Sequence, residues 1–322
     1  MLNRRTVLGL SIAVGLMSTI SAGAQTIQLK VADVQVGTPH AAAVEKFAAL
    51  VTERSGGAVT VTAYTGTQLG GEKDLMDSMR SGSLEMVHAG VTGYPALDAL
   101  WAPFLFRDAD HLMKFTESKV AQGFADSMAK DWGVRVIGWT YLSPRVITNS
   151  KRPIETVADL KGLKIRTPQI PIMVEAFKAM GASPTPMAWP EVYTSLQMGA
   201  IDGQENPLQV IFDAKLNEVQ KYLTVTNHVL IPRFLLINEA SWQALSQEQQ
   251  EILTVAWKEV AAEARAKLEA GDQDYLQKLE SSGLTISEFK ELDAMRAAVR
   301  DVQLSADKVW GDGTVEAILA IQ

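Results

Sequence analysis

Apolar and polar positions follow two different periods along the chain from about residue 28 onward. Alternation with a period of two is typical of half-buried strands, and apolar positions three or four residues apart are typical of amphipathic helices. Five segments follow one another, with strands at 28–34, 59–64 and 84–89 and helices at 38–56 and 71–80. The first helix has a capping start at Thr38-Pro39 and a glycine end at Gly56. This βαβαβ order predicts a mostly parallel sheet with helices on its faces.

The same two periods continue in the second half of the chain. Strand-like runs occupy residues 134–140, 145–149, 163–167, 223–231 and 234–238, and helical patterns occupy 172–180 and 190–198. Pro232 and Arg233 separate the last two strand-like runs. Ser246, followed three residues later by Gln249, is a capping-box signature, and the helical spacing after it continues to Leu279. The pattern predicts a helix that is long for one compact lobe.

The order of elements predicts two α/β lobes joined by two crossing segments, near residues 140–145 and 230–235. Two crossings between such lobes define a cleft with a hinge. Small ligands in open α/β sheets bind beyond the carboxyl ends of the strands, which here would face the cleft. The expected division is residues 25–142 plus 232–271 for the first lobe and residues 143–231 plus 272–322 for the second.

The first 24 residues have the three-part layout of a secretory signal peptide. Two arginines at positions 4 and 5 precede an uncharged apolar stretch, residues 7–20, and the small residues AGA follow at 22–24. The apolar stretch is shorter than the roughly 20 residues that a membrane-spanning helix needs. We therefore expect residues 1–24 to be cleaved during export, the alternative being a membrane anchor.

Composition and charge narrow the functional classes. The chain has no cysteine, which excludes disulfide scaffolds, thiolate metal sites, a cysteine nucleophile and a thioether-linked lipid anchor. Its formal net charge is −7, from 30 basic and 37 acidic residues, and becomes −9 when the two arginines of the signal segment are removed. Such an acidic chain lacks the electrostatic footprint of nucleic-acid binding. A small anionic ligand would have to be held by a few placed cations.

Sequence motifs of catalysis are missing from the chain beyond residue 24. It contains no G-x-G-x-x-G, G-x-x-x-x-G-K-[ST], G-x-S-x-G or H-E-x-x-H motif. The four histidines are too scattered in sequence to form a helical metal pair. We therefore expect a binding protein and not an enzyme, with no cofactor and no resident metal ion.

Two arginines lie where a cation would face the cleft. Arg166 ends an apolar strand in the segment LKIRTP, and Arg145 stands in SPRVITN at the entrance to the second lobe. A guanidinium is always charged and forms two parallel hydrogen bonds with a carboxylate. A pair of arginines at strand ends is therefore consistent with a carboxylate clamp. The alternative for each is a structural salt bridge or a surface position.

Several longer segments resemble one known family. They are DLKGLKIRTP (159–168), GASPTPMAWPEVYTSLQMGAIDGQENPL (181–208) and NEVQKYLTVTNHVL (217–230), with GTQLG from residue 66 and WAPF from residue 101. In this order they are similar to the solute-binding subunits of tripartite ATP-independent periplasmic (TRAP) transporters. The resemblance implies an α/β, two-lobe periplasmic-binding-protein-like fold with a hinged cleft and a long helix that spans both lobes.

The resemblance also implies ligand contacts from the second lobe. The arginine of the K-I-R-x-P segment, Arg166 here, matches the family's main carboxylate clamp, and Arg145 matches a second arginine that contacts the same acid. Asn206 matches an asparagine that hydrogen-bonds the ligand, and Trp189 matches an aromatic residue that packs against it. Gln169 falls where some members place a polar contact.

Three further positions are carried over from the same resemblance. Glu72 matches an acidic first-lobe position that reaches ligand hydroxyls or an amine. His88 matches another first-lobe pocket position, for which a structural role is the alternative. Asn149 is expected either to contact the ligand or merely to turn the chain.

The ligand expected from the resemblance is a small monocarboxylate with hydroxyl or keto groups. Members that bind sialic acid carry an acidic residue just after the position of His88, where this chain has AGVT at 89–92. Trp139, Tyr141 and Trp189 suggest a smaller, partly aromatic-lined cavity. An aldonate, a uronate or another hydroxy or oxo acid is therefore favoured, and aromatic acids stay open.

The resemblance implies a periplasmic protein that captures an organic acid anion, closes its lobes over it and delivers it to the small and large membrane subunits of a TRAP permease. No nucleic-acid partner is expected, and after signal cleavage the protein would not itself span the membrane. A periplasmic receptor that reports the ligand to a membrane sensor is an alternative, and an exported enzyme acting on sugar acids is another.

Overall fold

The computed structural model describes residues 26–90 and 93–322. The expected signal segment, residues 1–24, lies outside the described residues. Within the described part of the chain, no helix is both long enough and apolar enough to cross a bilayer.

The described residues form two sheets with helices on their faces. The strands are β1 (Ile27–Asp33), β2 (Val59–Thr65), β3 (Met86–Ala89), β4 (Val134–Leu142), β5 (Arg145–Asn149), β6 (Lys164–Thr167), β7 (Ser183–Pro186), β8 (Gly203–Pro207), β9 (Tyr222–Val225), β10 (Ile231–Asn238) and β11 (Thr285–Glu288). The helices are α1 (Pro39–Arg54), α2 (Glu72–Ser81), α3 (Pro95–Asp98), α4 (Ala109–Thr116), α5 (Lys119–Ser127), α6 (Pro171–Ala179), α7 (Val192–Gln197), α8 (Leu208–Asp213), α9 (Glu239–Gln243), α10 (Gln247–Ser281), α11 (Leu292–Leu304), α12 (Asp307–Trp310) and α13 (Thr314–Leu319).

Each sheet belongs to one lobe, and both sheets are mixed. The first has the strand order β2-β1-β3-β10-β4 and the second the order β11-β9-β5-β8-β6-β7. In the first, β1 runs parallel to β2 and β3, whereas β10 runs antiparallel to β3 and β4. In the second, β5 runs antiparallel to β8 and β9. In the first sheet the expectation of mostly parallel strands therefore holds only for β1 to β3, because β10 runs antiparallel to both of its neighbours. In the second sheet β6 runs parallel to β7 and β8, and β9 runs parallel to β11.

The two crossing segments lie side by side between the sheets. Leu142, the last residue of β4, pairs with Ile231, the first residue of β10. Three residues further on, the Arg145 N–H donates to the carbonyl of Val229 at 2.9 Å. This paired double crossing is the hinge region expected near residues 140–145 and 230–235.

The long helix α10 spans both lobes. Ser246 caps it by accepting a hydrogen bond from the backbone of Gln249, whose side chain accepts one in return from the Ser246 N–H, so the capping box is confirmed. Val260 is buried in the apolar core that covers the first sheet, and Leu279 is buried in a core of the second. The helix has 35 residues, longer than one lobe requires.

The C-terminal residues do not all pack on the lobe in which they were expected. Val315 and Ile318 of α13 are buried in the apolar core on the first sheet. The Trp310 indole N–H donates to the Ala96 carbonyl of α3 at 2.6 Å. Residues after α11 therefore pack on the first lobe, because their apolar side chains complete the cover over α3, whereas residues 272–322 were expected in the second lobe.

Two predicted segments also have different bounds. The strand-like run at 223–231 yields only β9, which ends at Val225. Pro232 and Arg233 lie inside β10 and do not separate two strands. Proline is tolerated there because Pro232 precedes the part of β10, from Phe234 onward, that is paired on both sides.

Candidate functional site

We call the side of each lobe that carries predicted site residues its wall of the cleft; in the second lobe these residues lie near the carboxyl ends of β6 and β8. On the second lobe, Arg166 is the next-to-last residue of β6 and pairs in register with Gln204 of β8. Side chains two residues apart on a strand share a face, so Arg166 and Asn206 lie on the same face of the sheet. The structure thus brings these two predicted site residues together.

Arg166 is a buried cation without an acidic partner among the described residues. Its side chain is 4% exposed, and its Nε and one terminal nitrogen both donate to the Met187 carbonyl, at 3.1 and 2.8 Å. Its guanidinium carbon lies 5.8 Å from the centre of the Trp189 ring. Burial lowers the pKa of Arg166 to about 10, against the opposing effect of Glu205. A buried guanidinium in this state is ready to accept an anion.

Arg145, the second predicted clamp residue, is occupied by a salt bridge within the protein. Its Nε donates to one Glu205 carboxylate oxygen, and a terminal nitrogen donates to the other at 2.9 Å and to the Glu205 carbonyl at 2.7 Å. Burial opposes the charge of Glu205, but Arg145 and His228 outweigh it and lower the pKa of the carboxyl. The structure therefore places Arg145 in the structural salt bridge that the sequence left as its alternative.

The two other second-lobe residues are held by neighbours on the same wall. The Asn206 amide donates to the Gln204 side-chain oxygen at 2.6 Å, and Gln204 in turn donates to the Thr148 hydroxyl at 2.9 Å. Trp189 begins a short 3-10 turn before α7 and is partly buried against cores of both lobes. The chain Thr148–Gln204–Asn206 fixes the Asn206 amide, and Trp189 supplies an apolar surface beside Arg166.

The first-lobe wall is built on Glu72, Arg233 and Asp33. Glu72 opens α2, and its carboxylate accepts a hydrogen bond from Arg233 at 3.2 Å. The other terminal nitrogen of Arg233 donates to both oxygens of Asp33, each at 3.1 Å, and to the His88 carbonyl at 3.0 Å. Burial raises the pKa of Glu72, although Arg233 opposes this effect. Burial also opposes the charge of Asp33, but Arg233 and His88 outweigh it, so the pKa of Asp33 is lowered.

His88 does not reach the cleft. Its ring is fully buried, with Nδ1 at 2.7 Å from Asp33 and Nε2 at 2.9 Å from the Thr140 hydroxyl. Burial is the main reason that its pKa is lowered, so the ring is neutral at pH 7. Because both ring nitrogens already have partners inside the lobe, His88 holds Asp33 in place and is not the pocket residue that the resemblance implied.

The two walls approach each other at the start of α2. A Cβ added to Gly71 would lie 3.6 Å from Pro190 and 3.8 Å from Ala188, which flank Trp189. Burial lowers the pKa of Arg166, and the carboxylate of Glu72 is one of the charges that oppose this effect. The arrangement places one buried cation opposite one carboxylate.

Two predicted residues lie apart from this site. Asn149 ends β5 on the side away from Arg145, and its side-chain oxygen accepts from the backbone N–H groups of Lys151 and Arg152. It turns the chain and does not face the cleft. Gln169 is exposed on the surface after β6.

The three aromatic residues that were expected to line one cavity lie in two different places. Trp139 and Tyr141 line a groove of about 440 Å³ between the edge strand β4 and helix α10. Trp189 is not among the residues that line this groove. The three aromatic residues therefore do not surround one cavity, because β4 is the edge strand of the first sheet and its outer side meets α10.

Sequence reasoning missed three charged residues of the site: Glu205, Asp33 and Arg233. All three are buried in strands. Each is an ionisable residue in or at the end of a buried strand. Such residues are almost never fully buried without a partner, so this position in an apolar strand is the sequence feature that could have identified them. Their pairing depends on neighbouring strands that are distant in sequence.

The comparison with known proteins gives a consistent result. Residues 32–307 match the family model of DctP, the bacterial extracellular solute-binding proteins of family 7. The 2,3-diketo-L-gulonate-binding periplasmic protein YiaO of Escherichia coli K12 is 37% identical over 260 residues, which cover 80% of this chain and 78% of that protein.

Solved structures agree over almost the whole chain. A TRAP periplasmic solute-binding protein from Bordetella, with pantoate assigned to its density, superposes with a TM-score of 0.87 at 34% identity, over 92% of this chain and 100% of that one. A second from Roseobacter denitrificans, with bound L-galactonate, has a TM-score of 0.86 at 32% identity over 92% and 99%. The chain therefore belongs to the DctP family and is a solute-binding protein of the TRAP transporter type.

Proposed function

We propose that this protein binds a small monocarboxylate with hydroxyl or keto groups, such as an aldonate or a uronate, in the periplasm and delivers it to the membrane subunits of a TRAP permease. The carboxylate of the ligand would be held by Arg166. Asn206 would hydrogen-bond the same molecule and Trp189 would pack against it. Glu72 would approach it from the first lobe.

The observation that carries this proposal is the state of Arg166. A buried charge is normally paired within the protein, as Arg145 is with Glu205. Arg166 instead donates only to the Met187 carbonyl among the described residues. A carboxylate is the ligand group that would supply the missing charge and accept two parallel hydrogen bonds.

The ligands named for three of the relatives belong to the same chemical class. Diketogulonate, pantoate and galactonate are named for three different relatives. Each of these acids has a single carboxylate together with hydroxyl or keto groups. This shared chemistry matches a cleft with one unpaired cation and several neutral or acidic hydrogen-bonding groups.

Closure of the lobes would couple binding to delivery. Arg166, Asn206 and Trp189 belong to the second lobe, whereas Glu72 belongs to the first. A ligand that contacts both walls stabilises the closed arrangement over the open one, and this difference in binding free energy drives closure. The paired crossing at Leu142 and the long helix α10 are the elements about which the lobes would move.

A thermal-shift screen tests the proposal. The protein is unfolded in denaturant, dialysed to remove any co-purified ligand, refolded and screened against aldonates, uronates, hydroxy acids, oxo acids and aromatic acids. A ligand at a hundred times its Kd stabilises the folded state by about 2.7 kcal/mol, so the true ligand raises the Tm clearly. No response to any carboxylate would contradict the proposal.

Transport is separated from sensing by reconstitution. If genes for a small and a large permease subunit lie beside the gene for this protein, membrane vesicles that contain both subunits are expected to accumulate the labelled acid only when the purified protein is added. A neighbouring gene for a sensor kinase, without genes for permease subunits, would favour the receptor alternative.

A further inference from the structure

The carboxylate of Glu72 is held in place by a charged network in the first lobe. Glu72 is the first residue of α2, its side chain is 19% exposed, and it accepts a hydrogen bond from Arg233 at 3.2 Å. Arg233 is itself fixed by Asp33, with both carboxylate oxygens at 3.1 Å, and by the His88 carbonyl. His88 in turn holds Asp33 at 2.7 Å. A carboxylate supported in this way cannot swing out of the cleft without leaving a buried N–H donor of Arg233 without its acceptor.

The same carboxylate faces the second-lobe wall. Gly71, directly before it, lies against Ala188 and Pro190 of the opposite lobe. Burial has the largest effect on the pKa of both Arg166 and Glu72, but Glu72 is among the charges that raise the pKa of Arg166, and Arg145 is among those that lower the pKa of Glu72. A molecule bound at Arg166 between the walls therefore extends toward a fixed negative charge.

The charges of the cleft leave room for one ligand carboxylate only. Arg145 is balanced by Glu205, and Arg233 by Asp33. Among the described residues of the two walls, Arg166 remains as the cation for one carboxylate of the ligand. Glu72, which shares the single cation Arg233 with Asp33, remains as a negative charge facing the rest of the ligand. Hydroxyl groups can donate to Glu72, whereas a second carboxylate would meet a like charge in a partly desolvated site, which is strongly unfavourable.

We propose that Glu72, positioned by Arg233, is the specificity-determining residue that makes this cleft select hydroxylated monocarboxylates and reject the dicarboxylates of the same carbon chain. The proposal rests on the proposed function, because it takes Arg166 as the site of the first carboxylate. Glu72 acts on the ligand directly, and Arg233 acts only through Glu72.

Two matched pairs of acids test this selectivity. Galactonate and galactarate share their carbon chain and differ in one terminal group, a hydroxymethyl group or a second carboxylate. Erythronate and meso-tartrate differ in the same way with two carbons fewer. Titration calorimetry on ligand-stripped wild-type protein is expected to show at least a hundredfold preference for the monocarboxylate in the pair whose length fits the cleft.

Variants of α2 assign the preference to one residue. Glu72→Gln keeps the size of the side chain and removes its charge, so the preference should fall at least tenfold, mainly through tighter binding of the dicarboxylate. Glu72→Asp keeps the charge and should keep most of the preference. The matched control is Asp77→Asn, which removes one negative charge from the exposed side of the same helix, where Asp77 pairs with Lys73; it should leave the preference unchanged.

The dependence on pH provides a readout that a structural role of Glu72 would not change. The charged groups that act on Glu72 are Arg233 of β10, Asp33 of β1, Arg145 of β5 and Arg166 of β6. Burial already raises the pKa of Glu72, and an arriving second carboxylate would raise it further. Lowering the pH from 7.5 to 5.5 should therefore improve dicarboxylate binding relative to monocarboxylate binding at least threefold in the wild type, and not in Glu72→Gln.

The outcomes separate the two proposals. If the monocarboxylates bind and the dicarboxylates bind as tightly, or if Glu72→Gln keeps the full preference, the selectivity assignment is wrong while the proposed function stands. If Asp77→Asn lowers the preference as much as Glu72→Gln does, the effect belongs to overall charge and the assignment is again wrong. If no monocarboxylate of any length binds, the proposed function fails and this inference fails with it.

Discussion

Replacing Arg166 with methionine should weaken ligand binding without destabilising the empty protein. The Arg166 guanidinium is 4% exposed, and burial lowers its pKa to about 10. At about 1.4 kcal/mol for each pH unit, keeping this buried group charged costs about 3 kcal/mol. The hydrogen bonds to Met187 and the contact with Trp189 recover a similar amount. The free energy of unfolding of Arg166→Met should therefore stay within about 1 kcal/mol of the wild type.

The matched comparison is Arg145→Met, which, unlike Arg166→Met, should clearly lower the free energy of unfolding. Arg145 is 2% exposed and Glu205 is fully buried. Removing Arg145 leaves the Glu205 charge buried and uncompensated, which typically costs about 3–5 kcal/mol. The two buried arginines are therefore expected to differ in role, with Arg145 stabilising the fold and Arg166 binding the ligand.

Ligand affinity, unlike stability, should depend strongly on Arg166. Without Arg166 the ligand carboxylate would be buried with no cation, and losing one partner of a buried pair costs about 3–5 kcal/mol. Since about 1.4 kcal/mol corresponds to a factor of ten, Kd should rise more than a hundredfold.

Two measurements on ligand-stripped protein check both sides of the comparison. Urea unfolding gives the stability of the wild type, Arg166→Met and Arg145→Met, and titration calorimetry gives the affinity of the best acid from the thermal-shift screen. Near-wild-type affinity in Arg166→Met would refute the clamp. A loss of stability in Arg166→Met equal to that in Arg145→Met would refute the view that Arg166 is unpaired in the empty site.

Three further predictions concern other parts of the chain. Because the pKa of Asp33 lies below its ordinary value of 3.8, the stability that its ionised form contributes is present above pH 3.8 and is lost as the pH falls; Asp33→Asn should be less stable at pH 7 by urea unfolding, and the difference should shrink under acid. A Cβ on Gly203 would lie 2.2 Å from the Thr148 carbonyl oxygen, so Gly203→Ala should destabilise the second sheet by about 1–3 kcal/mol in the same assay, and unchanged stability would contradict this packing. N-terminal sequencing of the exported protein should begin at Gln25, and an intact N-terminus would favour the membrane-anchor alternative.

Local sequence patterns predicted most of the secondary structure, and a short motif led to the expected position of Arg166. The helix after Ser246 was predictable because its capping box and its apolar spacing are local features. Arg166 was expected at the cleft because the segment LKIRTP resembles the clamp segment of the family, and it is the next-to-last residue of β6. The inclusion of Pro232 in β10 was not predictable, because it depends on where the neighbouring strand β3 ends.

The amino-acid sequence by itself determined the α/β class, the two crossings and the long helix, because these follow from periodicity, caps and motifs within short segments. Only the tertiary structure decided which buried charges have partners inside the protein. Arg145 meets Glu205, His88 meets Asp33, and Arg166 meets no acid among the described residues. The physical reason is that the charge state and availability of a buried group depend on what neighbouring strands bring within a few ångströms, and strand pairing joins residues that lie far apart in sequence.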